Sequence, residues 1–266
     1  MHYSGRRMAS SHSSCRRTSA IVFTGLILLL SMLGGCSTVV QRNPVPEHLV
    51  DQVQLVDLPG VRFWGDEKPV NARELMRESH RRQAEAGLLH DDSGSPVPSI
   101  SLALSGGGAN GAFGAGLLKG WSEAGTRPEF SIVTGVSTGA LIAPFAFVGP
   151  EYDSHLEKLF TTTHTEDIFR LRALLSVLGR DSFSDTSPLW ELLEKHIDEA
   201  FLSRVAEEHA KGRSLWIGTT NLDAQRPVIW DMGVIAASNS PRAAELFRAV
   251  MLASSAIGGA FPPVYM

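Results

Sequence analysis

Residues 130–142 read Phe130-Ser131-Ile132-Val133-Thr134-Gly135-Val136-Ser137-Thr138-Gly139-Ala140-Leu141-Ile142. The short apolar, partly β-branched run at 130–134 predicts a strand, and Ala140-Leu141-Ile142 opens a helix. Between them stands Gly135-x-Ser137-x-Gly139. A serine at a strand-to-helix turn sits on strained backbone that lifts its hydroxyl above the sheet. Small residues two before and two after it avoid a steric clash there. Ser137 is therefore the candidate nucleophile, with Gly135 and Gly139 as the glycines of its elbow.

Working upstream, residues 100–104 are a second apolar run, 105–108 a glycine loop, and 109–124 a helical stretch closed by Gly125. Strand, loop, helix, strand, tight turn and helix in that order predict an α/β fold, because parallel strands need a crossover and the crossover is usually helical. The loop Ser105-Gly106-Gly107-Gly108-Ala109-Asn110-Gly111 has two readings. As Gly-x-Gly-x-x-Gly (Gly106, Gly108, Gly111) it matches a dinucleotide fingerprint, which wants an acidic residue at the end of the following strand. Glu129 stands at the start of that strand, and Thr134-Gly135 stand at its end. The other reading is an oxyanion hole, in which N–H groups of Gly107, Gly108 and Ala109 at the positive end of a helix converge on an oxygen that becomes negative during acyl transfer. Loop and serine then share the C-terminal ends of neighbouring strands, where open α/β sheets bind ligands.

Downstream, residues 151–211 form a more polar helical stretch with a Ser187-Pro188 start, and strands are expected at 214–219 and 227–230, joined by a turn at 223–226. His155, His164, His196 and His209 all fall in the polar middle, whereas a Ser-His-Asp hydrolase of this order places its histidine late. Gly106-Gly107-Gly108-x-x-Gly111 followed by Gly135-x-Ser137-x-Gly139 resembles the patatin-like phospholipases. Thr219-Thr220-Asn221-Leu222-Asp223 and the block from Ala253-Ser254-Ser255 to Phe261-Pro262-Pro263-Val264 resemble that family's later segments.

The resemblance implies a three-layer α/β fold with a mainly parallel central sheet and a lipid acyl hydrolase working through a Ser-Asp dyad. Ser137 would attack an acyl ester of a phospholipid or other lipid, and the Gly106-Gly107-Gly108 loop with Ala109 would hold the oxyanion, with no metal and no cofactor. The family's aspartate stands in Asp-Gly-Gly or Asp-Gly-Ala, and neither occurs after Ser137. Asp223 and Asp231 lie beside expected strand ends but outside that motif. The expectation is a member truncated before its final strand and its acid. The alternative is a catalytically inactive envelope lipoprotein that binds lipid or a partner.

The amino terminus reads as an address. Arg6, Arg7, Arg16 and Arg17 precede an apolar run at 21–33, too short to span a bilayer comfortably but suited to a signal peptide. Leu33-Gly34-Gly35-Cys36 resembles the bacterial lipobox, which implies cleavage before Cys36 and lipid chains on it. An uncleaved anchor is the other reading. Ser37 after the cysteine resembles the sorting position of enteric bacterial lipoproteins, and that resemblance implies the outer membrane, facing the periplasm. The expected organisation is a lipoprotein signal peptide at 1–35, a tether with a helical extension at 36–97, and the hydrolase domain at 98–266.

In the extension, Asn71 and Glu74 resemble a capping box, Gly87 is a helix stop, and Arg73, Arg77, Arg81 and Arg82 form a face that is either solvated or set against anionic headgroups. Twenty-four Lys+Arg against 28 Asp+Glu give a formal charge of −4 over 266 residues, which argues against nucleic acid as a partner. Two cysteines, Cys15 and Cys36, cannot build a multi-bridge framework or a Cys-rich zinc site.

Overall fold

The computed structural model describes residues 43–55, 57–161, 170–171, 184–256 and 261–266. The signal-peptide run, Cys36, His164 and residues 257–260 lie outside them. The strands are β1 (Arg62–Trp64), β2 (Ser101–Leu104), β3 (Ile132–Val136), β4 (Arg170–Leu171), β5 (Ser184–Asp185), β6 (Ser214–Asn221) and β7 (Arg226–Asp231). The helices are α1 (Ala72–Glu85), α2 (Gly111–Glu123), α3 (Thr138–Val148), α4 (Asp153–Thr161), α5 (Ser187–His196), α6 (Glu199–Ala210), α7 (Met232–Ala236) and α8 (Ala243–Ser255).

Alternation along β3 and β6 gives the sheet one dry face. Val133, Leu215 and Ile217 are fully buried, while Ile132, Thr134 and Trp216 are only half-buried on the other side. The sheet order is β1-β7-β6-β3-β2. Strands β2, β3 and β6 run parallel, and β7 runs antiparallel to both its neighbours, so four of the five strands point the same way. The mixed α/β architecture with a mainly parallel core is the expected one. β4 and β5 form a separate two-stranded pair.

Helix α3 follows the Ser137 turn and is buried along its whole length. A helix that is apolar on all sides belongs in the centre of a domain, and α3 packs on β3, β6, α6 and α8. Two ion pairs are dry. Arg127 meets Asp153 at 2.7 Å and also donates to the Ala146 carbonyl, tying the end of α2 to α3 and α4. Arg213 meets Glu208 at 2.7 Å while its Nε donates to the Phe130 carbonyl at 2.8 Å, which joins the entries of β3 and β6.

That last bond explains one shift of boundary. Phe130 was expected within the strand, but its carbonyl goes to Arg213 and its ring is buried against Trp121, so β3 begins two residues later. The helix expected from Ala109 is split as well. A 3-10 turn at Gly108–Asn110 precedes α2, because Gly108 has φ +54°.

The segment expected to be tether contributes to the sheet. β1 closes one edge against β7 with Arg62 opposite Trp230. Arg226 on β7 lies 4.2 Å from the Trp64 ring and donates to Asp51, Asp66 and Glu67. The expectation that the sheet starts at residue 100 is thus corrected: a three-residue edge strand precedes it. Helix α1 is tied down by Ser79 and Gln83, which donate to the Gly212 carbonyl, and by Arg82, which donates to the His209 carbonyl. These side chains satisfy carbonyls that the end of α6 leaves open.

The four arginines of α1 do not act as one face: Arg81 pairs with Glu78 and Glu85 on its own helix, whereas Arg82 turns inward. Asn71 occupies the N-cap position without a side-chain cap bond, and Gly87 ends the helix region at φ +71°. Among the described residues no helix is long and apolar enough to cross a membrane.

Candidate active site

Ser137 has φ +55° and ψ −125°, a backbone conformation that side-chain-bearing residues rarely adopt and that costs about 1–3 kcal/mol unless the surroundings enforce it. The enforcement is visible in the glycines. A Cβ on Gly135 would stand 2.7 Å from the Gly139 carbonyl carbon and 2.8 Å from the Ala143 methyl. One on Gly139 would fall on the Leu104 carbonyl and lie 2.9 Å from that of Ser105. The turn can press onto its own helix and onto the end of β2 only because both positions lack a side chain.

The glycine loop lies directly beside the serine. Leu104 pairs with Gly135, so β2 and β3 deliver loop and nucleophile to the same end of the sheet. A Cβ on Gly106 would come within 3.0 Å of the Ser137 Cβ, and one on Gly111 would run into the Thr138 methyl. Thr138 Oγ1 donates to the Gly108 carbonyl at 3.0 Å and fixes the loop to the elbow. The 3-10 turn uses the N–H groups of Asn110 and Gly111. Those of Gly107, Gly108 and Ala109 stand at its start, where N–H groups have no partner within the helix. The whole loop is exposed.

Two further side chains hold the elbow, and local sequence reasoning gave them no role. Ser254 Oγ accepts from the Ser137 N–H at 2.9 Å and donates to the Gly218 carbonyl at 2.7 Å. Ser255 Oγ lies 3.3 Å from the Ser137 carbonyl and 2.9 Å from that of Met251. The end of α8 thus grips both peptide groups of the nucleophile. Their only sequence signal was membership of the Ala253-Ser254-Ser255 block.

A comparison with family models matches residues 102–266 to the patatin-like phospholipases. The chain belongs to the patatin-like phospholipase family. No match was found among curated proteins. The patatin-like domain is that of a lipid acyl hydrolase in general, which implies lipid substrates.

Within this patatin-like domain, no hydrogen bond reaches Ser137 Oγ from the described residues, and the acids considered from sequence stand elsewhere. Asp231 accepts from the Val234 N–H and from Trp216 Nε1, capping α7 at the level of Thr134 in the sheet. Asp223 lies exposed in the β6–β7 turn, its N–H taken by Asn221 Oδ1. His155 and His196 face each other 5.6 Å apart between α4 and α5, and His209 packs against Gly233, so the structure brings none of the three to Ser137. Val136 beside the serine, and Phe113 and Leu117 one turn apart on α2, are exposed apolar side chains on the elements that carry the site. Among the described residues no group of three or more His, Cys, Asp or Glu side chains is placed to hold a metal ion.

Proposed function

We propose that the protein is a lipid-anchored serine acyl hydrolase of the bacterial cell envelope, acting on phospholipids or other acyl-ester lipids. The observation that carries this reading is the strained Ser137 turn pressed against the glycine loop at the exposed end of β2 and β3. Ser137 Oγ attacks the ester carbonyl carbon and its proton goes to the aspartate of the family's Ser-Asp dyad, a residue that no Asp-Gly-Gly or Asp-Gly-Ala motif marks after Ser137 in this sequence. The carbonyl oxygen, now negative, is held by the N–H groups of Gly107, Gly108 and Ala109, supported by Gly106. Collapse expels the alcohol, and water then cleaves the acyl-enzyme. Exposed apolar side chains at Phe113, Leu117 and Val136 suit a substrate presented from a lipid surface.

For location, the supports are the arginines, the apolar run and Leu33-Gly34-Gly35-Cys36. Lipid on Cys36 would hold the chain at the membrane, facing the periplasm from the outer membrane. Several acyl chains suffice for stable attachment where one is marginal.

A fluorophosphonate probe with an alkyl tail tests the nucleophile. Labelling is expected in the wild type and absent in Ser137→Ala with an unchanged circular dichroism spectrum. Absence of labelling in the wild type favours the inactive lipid-binding alternative. Metabolic incorporation of an alkyne-bearing fatty acid tests the anchor, and persistence of the label in Cys36→Ala would remove it.

A further inference from the structure

At the end of the sheet opposite Ser137 lies a cavity of about 1050 Å³. Phe63, Ile132 and Trp216 of the half-covered sheet face line one part of it, and Leu75 and Met76 of α1 line another. Ligand pockets run to about 300–1,000 Å³ and are mostly apolar with a few placed polar groups, so this one has the size and the lining of a binding site. Ile132 and Ser137 are five residues apart along one strand, roughly 16 Å. A molecule held here is not the acyl group in transit on the serine.

The charges in the wall are unevenly satisfied. Asp231 is engaged by the Val234 N–H and Trp216 Nε1. Glu129 lies 3.5 Å from Arg213, and Arg213 is itself matched by Glu208. Both anions of the wall are therefore compensated.

Two arginines of α1, Arg77 and Arg82, are less fully matched than Arg81, which pairs with Glu78 and Glu85. Arg82 spends one nitrogen on the His209 carbonyl, but its buried Nε has no hydrogen-bond partner among the described residues. Glu78 forms only a long ion pair with it at 3.8 Å, beyond hydrogen-bond distance, and is already held by two nitrogens of Arg81. Arg77 also lines the cavity and makes no ion pair among the described residues. His209 Nδ1, the other unpaired buried atom in the lining, packs against Gly233. An apolar cavity whose spare capacity among the described residues is an unbonded guanidinium N–H of Arg82 and the unpaired Arg77 complements an anion carrying a long apolar tail.

We propose that this cavity is a second lipid site that takes a long-chain fatty acid, its carboxylate on Arg82 and Arg77 and its chain between α1 and the sheet. The ligand belongs to the class an acyl-ester hydrolase releases. That link rests on the function proposed above, while the binding itself does not.

The full chain carrying Ser137→Ala, which blocks turnover and leaves the cavity intact, is titrated with 9,10-dibromostearate below its micelle concentration while tryptophan fluorescence is followed. Trp216→Phe identifies the reporter. Saturable quenching is expected, lost in Trp216→Phe. It should weaken at least tenfold in Met76→Asp, which places a negative charge on an exposed side chain at the mouth, and in Arg77→Gln/Arg82→Gln. Competition by unbrominated acids should fall about tenfold when the chain is shortened from sixteen to fourteen carbons.

No saturable quenching, equal quenching by the neutral methyl ester, or an unchanged titration in Met76→Asp would overturn the proposal. Quenching by vesicles of brominated phosphatidylglycerol but not by the monomeric acid would overturn it too, in favour of a membrane contact. Quenching in a protein whose wild type takes no fluorophosphonate removes the Ser137 reading and leaves this site standing. Labelling without quenching does the reverse.

Discussion

The two ends of β3 are built on opposite principles. Where the strand exits, the contacts depend on side chains that are missing: Gly135 and Gly139 let backbone meet backbone around Ser137, and Gly106 and Gly111 make room for the Ser137 and Thr138 side chains. Where it enters, they depend on side chains that are large and fully used, with Phe130 buried on Trp121 and Arg213 locked between Glu208 and the Phe130 carbonyl. A reactive group needs room and an open approach, while a hinge point for several elements needs mass. The difference predicts that additions are worst at one end and deletions at the other.

Gly139→Val should give the largest effect. Its Cβ would overlap the Leu104 carbonyl, which cannot yield without parting β2 from β3. We expect loss of more than about 4 kcal/mol, read as failure to fold by circular dichroism. A soluble variant with a normal melting curve would break the comparison at its strongest point.

At the entry end, Glu208→Gln removes the buried partner of the Arg213 guanidinium, leaving it the longer contact to the exposed Glu129, and should cost about 3 kcal/mol in urea unfolding. Adding Arg213→Met should return much of that loss. If the double variant is no better than the single one, the charge is not what that end depends on.

Ser254→Ala lies between the two extremes, because it deletes a side chain at the exit end. It leaves the Ser137 N–H and the Gly218 carbonyl without their shared partner. A loss of about 1–3 kcal/mol is expected. Fluorophosphonate labelling should slow at least tenfold, with Ser254→Thr recovering part of the rate.

The smallest effect should come from a group at neither end. Burial first, and then the facing His155 with Lys195 and Lys158, push the His196 imidazole below its ordinary 6.5. The folded state therefore binds this proton less tightly than the unfolded chain, so stability falls as pH drops below about 6.5. In His196→Gln the melting temperature should vary less between pH 7.5 and 5.5. An equal slope in both proteins would assign the acid sensitivity elsewhere.

The sequence made the exit end legible because its requirements are local. Gly135-x-Ser137-x-Gly139 and the glycine loop each sit within a few residues of the strand that carries them, and steric rules at such turns leave few alternatives. The entry end and the edges were not legible. Nothing near Phe130 shows that Arg213 will claim its carbonyl, and Arg62–Trp64 is too short to alternate, so β1 was hidden within the expected tether. The role of Ser254 is hidden for the same reason, since the Ala253-Ser254-Ser255 block marks the residue and not its partner. A hydroxyl near the end of an amphipathic helix has no signature until the helix is docked on residues 117 positions away.

The pairing of β1 with β7 also bears on the order in which the molecule assembles. Arg62 meets Trp230 across 168 residues of chain, and closing so long a loop precedes any reward from the contact. The β2–α2–β3 crossover can condense from neighbours in sequence, whereas β1, the first of the described strands, must wait for β7, the last of them. In refolding, burial around Ser137 should therefore precede docking of residues 62–64, and a chain interrupted before β7 would be left with an unclaimed strand at its amino-terminal side.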